Sequence, residues 1–440
     1  MRYHHLNIVV YILILMLIGC EKEHEPSHTP SDSLLKIMQV DEPFYARDVL
    51  ELNDGSVLIG AVAPINGKFD EFNNPSSNSP SLLVKYAANG NLIWQLELPE
   101  IVHVLWQTIE LTNGNIVVVG FNSEENSRQV GLAIISPQGF VLNQVSYYNV
   151  TNQFPIRQMN PVDFVELSSG NIAVVTSTSN VSAGMYIAAR LVVFDPLLNI
   201  VFDRIYTKDE IVLSRPPSHI SIAEDAAGNL LLHGLDLMVS ASNNDDFGKI
   251  HAFALKLAAD TYDPIYHQLF KDEQKFSSSN IALDYSGKLV WAASGPLAAD
   301  SLYYSWFNYR NQEIFLIGPE ITIWQTNGDS TNTQKRIFSG YPKYGFANKI
   351  ISTSDGGYML LGTCNINPNQ QISSEYQIMM IKLSADYTME WIRFPKTSSQ
   401  SISSDIVETS SGYLISATHL SLGEQSRPIV FKTDKNGIIK

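Results

Sequence analysis

A short hairpin centred on glycine recurs along almost the whole chain, and this recurrence limits the fold more than any other feature of the sequence. In its first copy the run Val49-Leu50-Glu51-Leu52 reaches the turn Asn53-Asp54-Gly55-Ser56 and returns through Val57-Leu58-Ile59-Gly60. Further copies centre on Gly114, Gly170, Gly228, Gly287, Gly357 and Gly412. Neighbouring centres lie 55 to 59 residues apart, except that Gly287 and Gly357 are separated by 70. Asn-Gly, Asp-Gly and Ser-Gly dipeptides suit tight two-strand turns, because glycine accepts positive φ without a Cβ clash. A period of this length marks a repeat architecture.

Each copy continues into a second hairpin, clearest in Leu82 to Leu98 and repeated at Leu132 to Tyr147, Leu191 to Tyr206, Phe253 to Phe270 and Ile378 to Phe394. The unit therefore has four strands. The first three read as continuous apolar runs, as strands covered on both faces do, and the fourth alternates, with Leu92, Trp94, Leu96 and Leu98 set against Gln95 and Glu97. No amphipathic helical period separates the copies. The expectation is an all-β chain, a seven-bladed β-propeller of four-stranded antiparallel blades over residues 34–440. The last copy stops at Gly437-Ile438-Ile439-Lys440, while Leu34 to Val40 is a strand without a hairpin of its own. The N-terminal strand is expected to complete the last blade, closing the ring and removing an open edge.

Hydrophobic residues make up 45% of the chain and charged residues 17%, which supplies a large core. The net charge of -15, with no Lys/Arg-rich run, disfavours nucleic acid and anionic lipid as partners. Arg2, His4 and His5 precede the apolar run Leu6 to Ile18, which is too short to span a bilayer and reads as an export signal over residues 1–19. Leu17-Ile18-Gly19-Cys20 resembles the lipobox of bacterial lipoproteins. That resemblance implies a lipid on Cys20, a membrane attachment through it, and a flexible tether over residues 20–33. The acidic start of the tether, Glu21-Lys22-Glu23-His24-Glu25, is similar to that of outer-membrane lipoproteins, including those displayed on the cell surface. The other cysteine, Cys364, lies in the apolar run Met359 to Cys364 and is expected to be a buried, inert thiol.

The half-repeat Lys85-Tyr86-Ala87-Ala88-Asn89-Gly90-Asn91-Leu92-Ile93-Trp94, echoed from Lys382 to Trp391, resembles the blades of quinoprotein-like propellers (PQQ-like repeats) and those of bacterial surface lipoproteins without an assigned function. Phe202 takes the tryptophan's place in a third blade, and the adjacent cysteine pair that such dehydrogenases use beside their cofactor is missing. The resemblance implies the fold and no cofactor.

An acid recurs near the end of the first strand: Glu51, Glu110, Glu166, Glu224, Asp284 and Glu408, with Ser352 in the remaining copy. A ring of carboxylates could bind a cation, but recurrence with the structural unit favours a residue that satisfies backbone donors of turns or neighbouring blades. Ser352 to Gly357 resembles the Asp-box of sialidases only faintly and is read as turn chemistry, and Ser33-Leu34-Leu35-Lys36 is read as part of the closing strand. None of the ten histidines is assigned as a metal ligand, and no glycine-rich loop opens a helix. No metal, no cofactor and no catalytic residue is assigned.

Function in such an architecture concentrates where the links are long, at the end carrying the connections between blades and between second and third strands. Tyr45, Trp106, Phe154, Arg157, Arg215, Tyr341, Tyr344 and Phe346 are expected there, with Tyr303, Tyr304, Trp306, Phe307 and Tyr309 added by the fifth-blade insertion. Within that blade, Leu302 to Tyr309 and Ile321 to Gln325 compete for the place of third strand. Aromatic side chains with a few arginines suit stacking on sugar rings or a protein hot spot. The sequence is read as a cell-envelope lipoprotein that binds a glycan or an envelope protein, as a scaffold or binding module. The alternatives are a glycan-active enzyme, either a polysaccharide lyase or a glycoside hydrolase, and a purely structural envelope protein.

Overall fold

The computed structural model describes residues 36–37, 44–63, 81–124, 127–147, 158–180, 185–206, 220–238, 249–270, 277–283, 289–295, 306–309, 312–315, 320–326, 334–338, 345–365, 376–397, 401–419 and 427–439. Among them the chain is all β apart from one short 3-10 turn, Glu100–Val102. After β1 (Lys36–Ile37) the strands follow as antiparallel meanders. They are β2 to β5 (Tyr45–Glu51, Val57–Val62, Ser81–Tyr86, Leu92–Glu97), β6 to β9 (Val104–Glu110, Ile116–Glu124, Ser127–Ile135, Val141–Tyr147) and β10 to β13 (Gln158–Glu166, Ile172–Asn180, Met185–Phe194, Ile200–Tyr206). Next come β14 to β17 (Ile220–Glu224, Leu230–Met238, Lys249–Leu257, Pro264–Phe270) and β18 and β19 (Ser277–Leu283, Leu289–Gly295). The hairpin β20 and β21 (Trp306–Tyr309, Gln312–Phe315) precedes β22 and β23 (Glu320–Thr326, Gln334–Phe338). The chain ends with β24 to β27 (Gly345–Ser352, Tyr358–Asn365, Tyr376–Leu383, Met389–Arg393) and β28 to β30 (Ser401–Thr409, Gly412–His419, Arg427–Thr433).

The burial follows the hydropathy of the sequence. All of β3 is buried, nearly all of β4, and β5 alternates between exposed and half-buried positions. The outermost strands β9 and β13 are likewise mostly exposed or half-buried, so in these sheets the fourth strand is the solvated one. The meanders β6 to β9 and β10 to β13 pair along their backbones at one parallel position, Gln158 with Arg128, and also share a core in which Val117 and Val119 meet Phe164 and Val174. Elsewhere sheets meet through side chains. Leu58 and Leu83 pack with Val104, Ile116 and Val118 of the next meander, and Leu167, Val175 and Leu191 pack with Ile220, Leu232 and Leu255. Each such face removes large aliphatic side chains from water at about 1.5–3 kcal/mol apiece.

The first and last sheets are in contact. Val49, Ile59 and Val84 share a core with Leu414 and Val430. β1 adds to the edge of the last sheet, with Lys36 opposite Val430 and Ile37 opposite Ile429. The architecture is thus an all-β, propeller-like set of antiparallel sheets.

Three details differ from the sequence expectation. In the insertion-bearing repeat the third strand is β22, paired along its length with β19, and the aromatic run Trp306–Tyr309 forms a separate hairpin with β21. In the next repeat the residue with positive φ is Gly356 (φ 85), one place before the glycine taken as the turn centre. The last repeat turns more tightly, with Thr409 directly opposite Gly412.

Candidate functional site

The recurring acids sit at the turn end of the first strands, and each one serves the turn of the preceding sheet. The amide of Asn53 donates to Glu110 at 2.7 Å, that of Thr112 to Glu166 at 2.8 Å, that of Ser168 to Glu224 at 2.7 Å and that of Ser354 to Glu408 at 2.6 Å. The hydroxyls of Thr112, Ser168 and Ser354 donate to the second oxygen of the same carboxylates. Glu51 differs for a local reason. The β28–β29 turn is too short to offer an equivalent amide, and Glu51 pairs instead with Lys432 at 2.8 Å. Among the described residues no group of acids, histidines or cysteines is arranged to hold a metal ion. These carboxylates are clasps between sheets. Asp284 lies outside the described residues.

Three residues before five of the acids, and before Ser352, a polar side chain interrupts the apolar first strand: Asp48, Gln107, Asp163, Ser221, Asp405 and Lys349; before Asp284 the place is taken by Ile281. The strands carrying five of these, all but Ser221, are bulged one residue earlier, at Arg47, Trp106, Val162, Asn348 and Ser404. A bulge turns its strand and re-aims the following side chain. Three of the aspartates then repeat one contact, accepting an amide from the first strand of the next sheet. Asp48 takes that of Thr108 at 2.5 Å, Asp163 that of Ile222 at 2.9 Å, and Asp405 that of Val49 at 3.2 Å. The Thr108 hydroxyl adds a second bond to Asp48 at 2.5 Å, and Lys349 is paired with Asp405.

This cluster joins strands far apart in sequence and has a distinct electrostatic state. Burial raises the Asp48 carboxyl well above the carboxylate range, and the charge of Asp405 and a hydrogen bond shared with it raise it further, against the pull of Lys349 and Thr108. Burial and the neighbouring carboxylate of Asp405 thus both favour the protonated form of Asp48. Burial also lifts Asp163 to about 6, opposed by the amides of Ile222 and Phe164, by Lys349 and by the Gln107 side chain. Burial alone would lower the Lys349 ammonium, but Asp405, Asp48 and Asp163 together hold it above its ordinary value. With its oxygens already taken by amides and a lysine, the cluster cross-links strands and leaves little room to act on a bound molecule.

The link end of the first two sheets is different in character. Tyr45 opens β2, and the Arg47 guanidinium lies 4.4 Å from the centre of the Trp106 ring. Arg47 and Trp106 occupy the same bulge position in neighbouring sheets. Burial lowers the Arg47 guanidinium to about 10, against the opposing charge of Asp48, and it stays cationic at neutral pH. A half-buried indole backed by Leu105 and Val104, with a guanidinium on its face, is a platform for stacking and charge recognition.

Of the residues expected at this end, Tyr45 and Trp106 are strand residues rather than link residues, Tyr45 the first of β2 and Trp106 at the bulge of β6. Trp306 opens the separate β20–β21 hairpin, opposite Phe315, and Phe346 lies in β24. Arg157, Arg215, Tyr341, Tyr344, Phe154 and Cys20 lie outside the described residues. Arg47 and the buried cluster were missed. The signal was present as a charged or amide side chain at one fixed position in otherwise apolar strands.

No family model matches this chain, and no curated protein matches it. Among solved structures, one described as a polysaccharide lyase of a new family, PL25 ulvan lyase, aligns over 91% of this chain and 97% of its own, at 7% identity and a TM-score of 0.56. The same enzyme described as bound to -[GlcA(1-4)Rha3S]- aligns over 93% and 94%, at 8% identity and a TM-score of 0.54. A protein of unknown function from Dyadobacter fermentans DSM 18053 aligns over 76% and 94%, at 11% identity and a TM-score of 0.45. At these identities the likeness is one of fold.

Proposed function

We propose that the chain is an envelope lipoprotein, anchored through Cys20, whose sheets are the blades of a closed seven-bladed propeller that binds a glycan at its long-link end. Support for closure comes from the Asp405 to Val49 bond and the Glu51 to Lys432 pair, both linking the last sheet to the first, and from the pairing of β1 with β30. Support for the binding end comes from link lengths. Residues 63–80 connect β3 to β4, whereas residues 52–56 suffice between β2 and β3.

The observation that carries the binding reading is the Arg47–Trp106 pair, because sugar rings stack on indole faces and a guanidinium recognises their hydroxyl or acidic groups. A structurally similar protein is a polysaccharide lyase, which makes acidic polysaccharides the first ligands to screen. The test is a glycan binding screen on the full-length, detergent-solubilised protein. Trp106→Ala and Arg47→Gln should each weaken binding about tenfold, the equivalent of one stacking or charge-assisted contact of about 1.4 kcal/mol. Unchanged affinity in both variants would remove this site.

The second reading, a glycan-active enzyme, is favoured by the polysaccharide lyase among the structurally similar proteins. It predicts turnover of a bound polysaccharide, seen as new reducing or unsaturated ends.

A further inference from the structure

Exposed apolar side chains recur at one register position on the outermost strands. In β5, β9, β13 and β17 one residue just past the turn is pushed out of pairing with the third strand: Ile93, Leu142, Val201 and Ile265. Their exposures are 50%, 56%, 54% and 57%. On a solvated outer strand a bulged position would ordinarily be polar, and in β27 it is Glu390. Single exposed apolar residues need no explanation, but four successive sheets repeating one do. Leu92, Phe140 and Leu197 widen the same surface.

The outer turns are held side by side. The Trp94 indole N–H donates to the Pro137 carbonyl at 3.0 Å, and Phe202 packs on Tyr262 with ring centres 4.6 Å apart. The apolar residues therefore form a belt along the turn end of the outer strands and are not scattered over the sheets.

Chain connectivity brings the amino-terminal segment to that same end. β1 runs antiparallel to β30, with Lys36 opposite Val430 and Ile37 opposite Ile429, so the chain enters β1 from the side of the turn that follows Thr433. Cys20 lies sixteen residues before Lys36, within about 55 Å even at full extension. The net charge of -15 argues against attraction to anionic headgroups and leaves apolar contact as the attractive force.

We infer that the turn end of the sheets rests on a bilayer surface, with Ile93, Leu142, Val201 and Ile265 in the interface. This orientation points the Arg47–Trp106 end away from the membrane. It rests on the lipid-anchor part of the function proposed above.

The test uses the full chain made with its own leader and reconstituted in zwitterionic phosphatidylcholine vesicles that carry a nitroxide-labelled lipid. Fluorophores on Leu142→Cys and Val201→Cys report the belt, and one on Lys396→Cys, beyond the link end of β27, is the control. The unsubstituted chain gives the labelling background, since Cys364 is buried and its thiol is pushed up to about 12. Quenching at the two belt labels should exceed that at the control about threefold or more. Equal quenching at all three, or none at the belt, overturns the inference. So does sedimentation as a dimer with belt labels shielded yet unquenched, which would make the belt a contact between copies. Intact mass reads the anchor separately. If Cys20 carries no acyl group the anchor falls, and the belt is then judged by adding the unacylated protein to the same vesicles, where quenching upholds it and no quenching removes it.

Discussion

Lys349 balances three buried carboxylates, Asp48, Asp163 and Asp405, so its removal should act through them more than through its own contacts. Lys349→Met leaves those groups without a cation and should cost about 3 kcal/mol at pH 7. At pH 4 the cost should be smaller, because Asp163, which titrates at about 6, then carries a proton and needs no counter-charge. Urea denaturation at the two pH values measures both. The unsubstituted protein has its own pH signature. Asp163 titrates at about 6 when folded and near 3.8 when unfolded, so between these values the folded state binds more protons. Stability should therefore decline as pH rises from about 4 to about 6, by up to about 3 kcal/mol, and then level off. Asp54 and Asp355, held at about 2 after their lysine and hydroxyl partners outweigh burial, lose their contribution only as pH falls below 3.8. A urea midpoint that rose between pH 4.5 and 7 would contradict this balance. The sequence exposes these residues as polar interruptions of apolar strands, but not their partners, since Asp163 and Lys349 lie 186 positions apart.

Hairpins and their clasps were the most legible elements. Glycine followed by an apolar run fixes a turn through local backbone geometry alone, and Gly114 holds φ at 81. The exceptions are also local. Two adjacent glycines, Gly356 and Gly357, offer two places for the same left-handed residue, and only the hydrogen bond from the Gly356 amide to Thr353 selects one. In the insertion-bearing repeat two apolar runs have equal strand character, and pairing with β19, a long-range contact, decides for β22. The clasps yield a direct measurement. Glu166→Gln keeps shape but removes the charge that receives the Thr112 amide and hydroxyl, and should cost about 1 kcal/mol in thermal or urea unfolding. At the outer turns, Gly139 has φ 88 and an added Cβ would stand 2.9 Å from the Trp94 ring. Gly139→Ala should therefore destabilise by about 1–3 kcal/mol, with much of the loss recovered in the background of Trp94→Leu.

For the molecule as a whole, one contact is repeated wherever sheets meet through an aspartate of the first strand, and Val49 receives it from Asp405 as Thr108 does from Asp48. Amide hydrogen exchange should find Val49, Thr108 and Ile222 comparably protected, with Asp405→Ala releasing Val49 first. Faster exchange at Val49 than at its two counterparts in the unsubstituted chain would mean that the first and last sheets part more readily than the others. Repetition made the all-β pattern of antiparallel meanders readable from sequence, whereas the aromatic platform depends on two adjacent sheets presenting the same bulge, which no spacing announces. The pairing of β1 with β30 sets an order of events. During synthesis the first strand emerges nearly four hundred residues before its mate, so it waits unpaired, and the sheet it joins stays incomplete, until Val430 has left the ribosome.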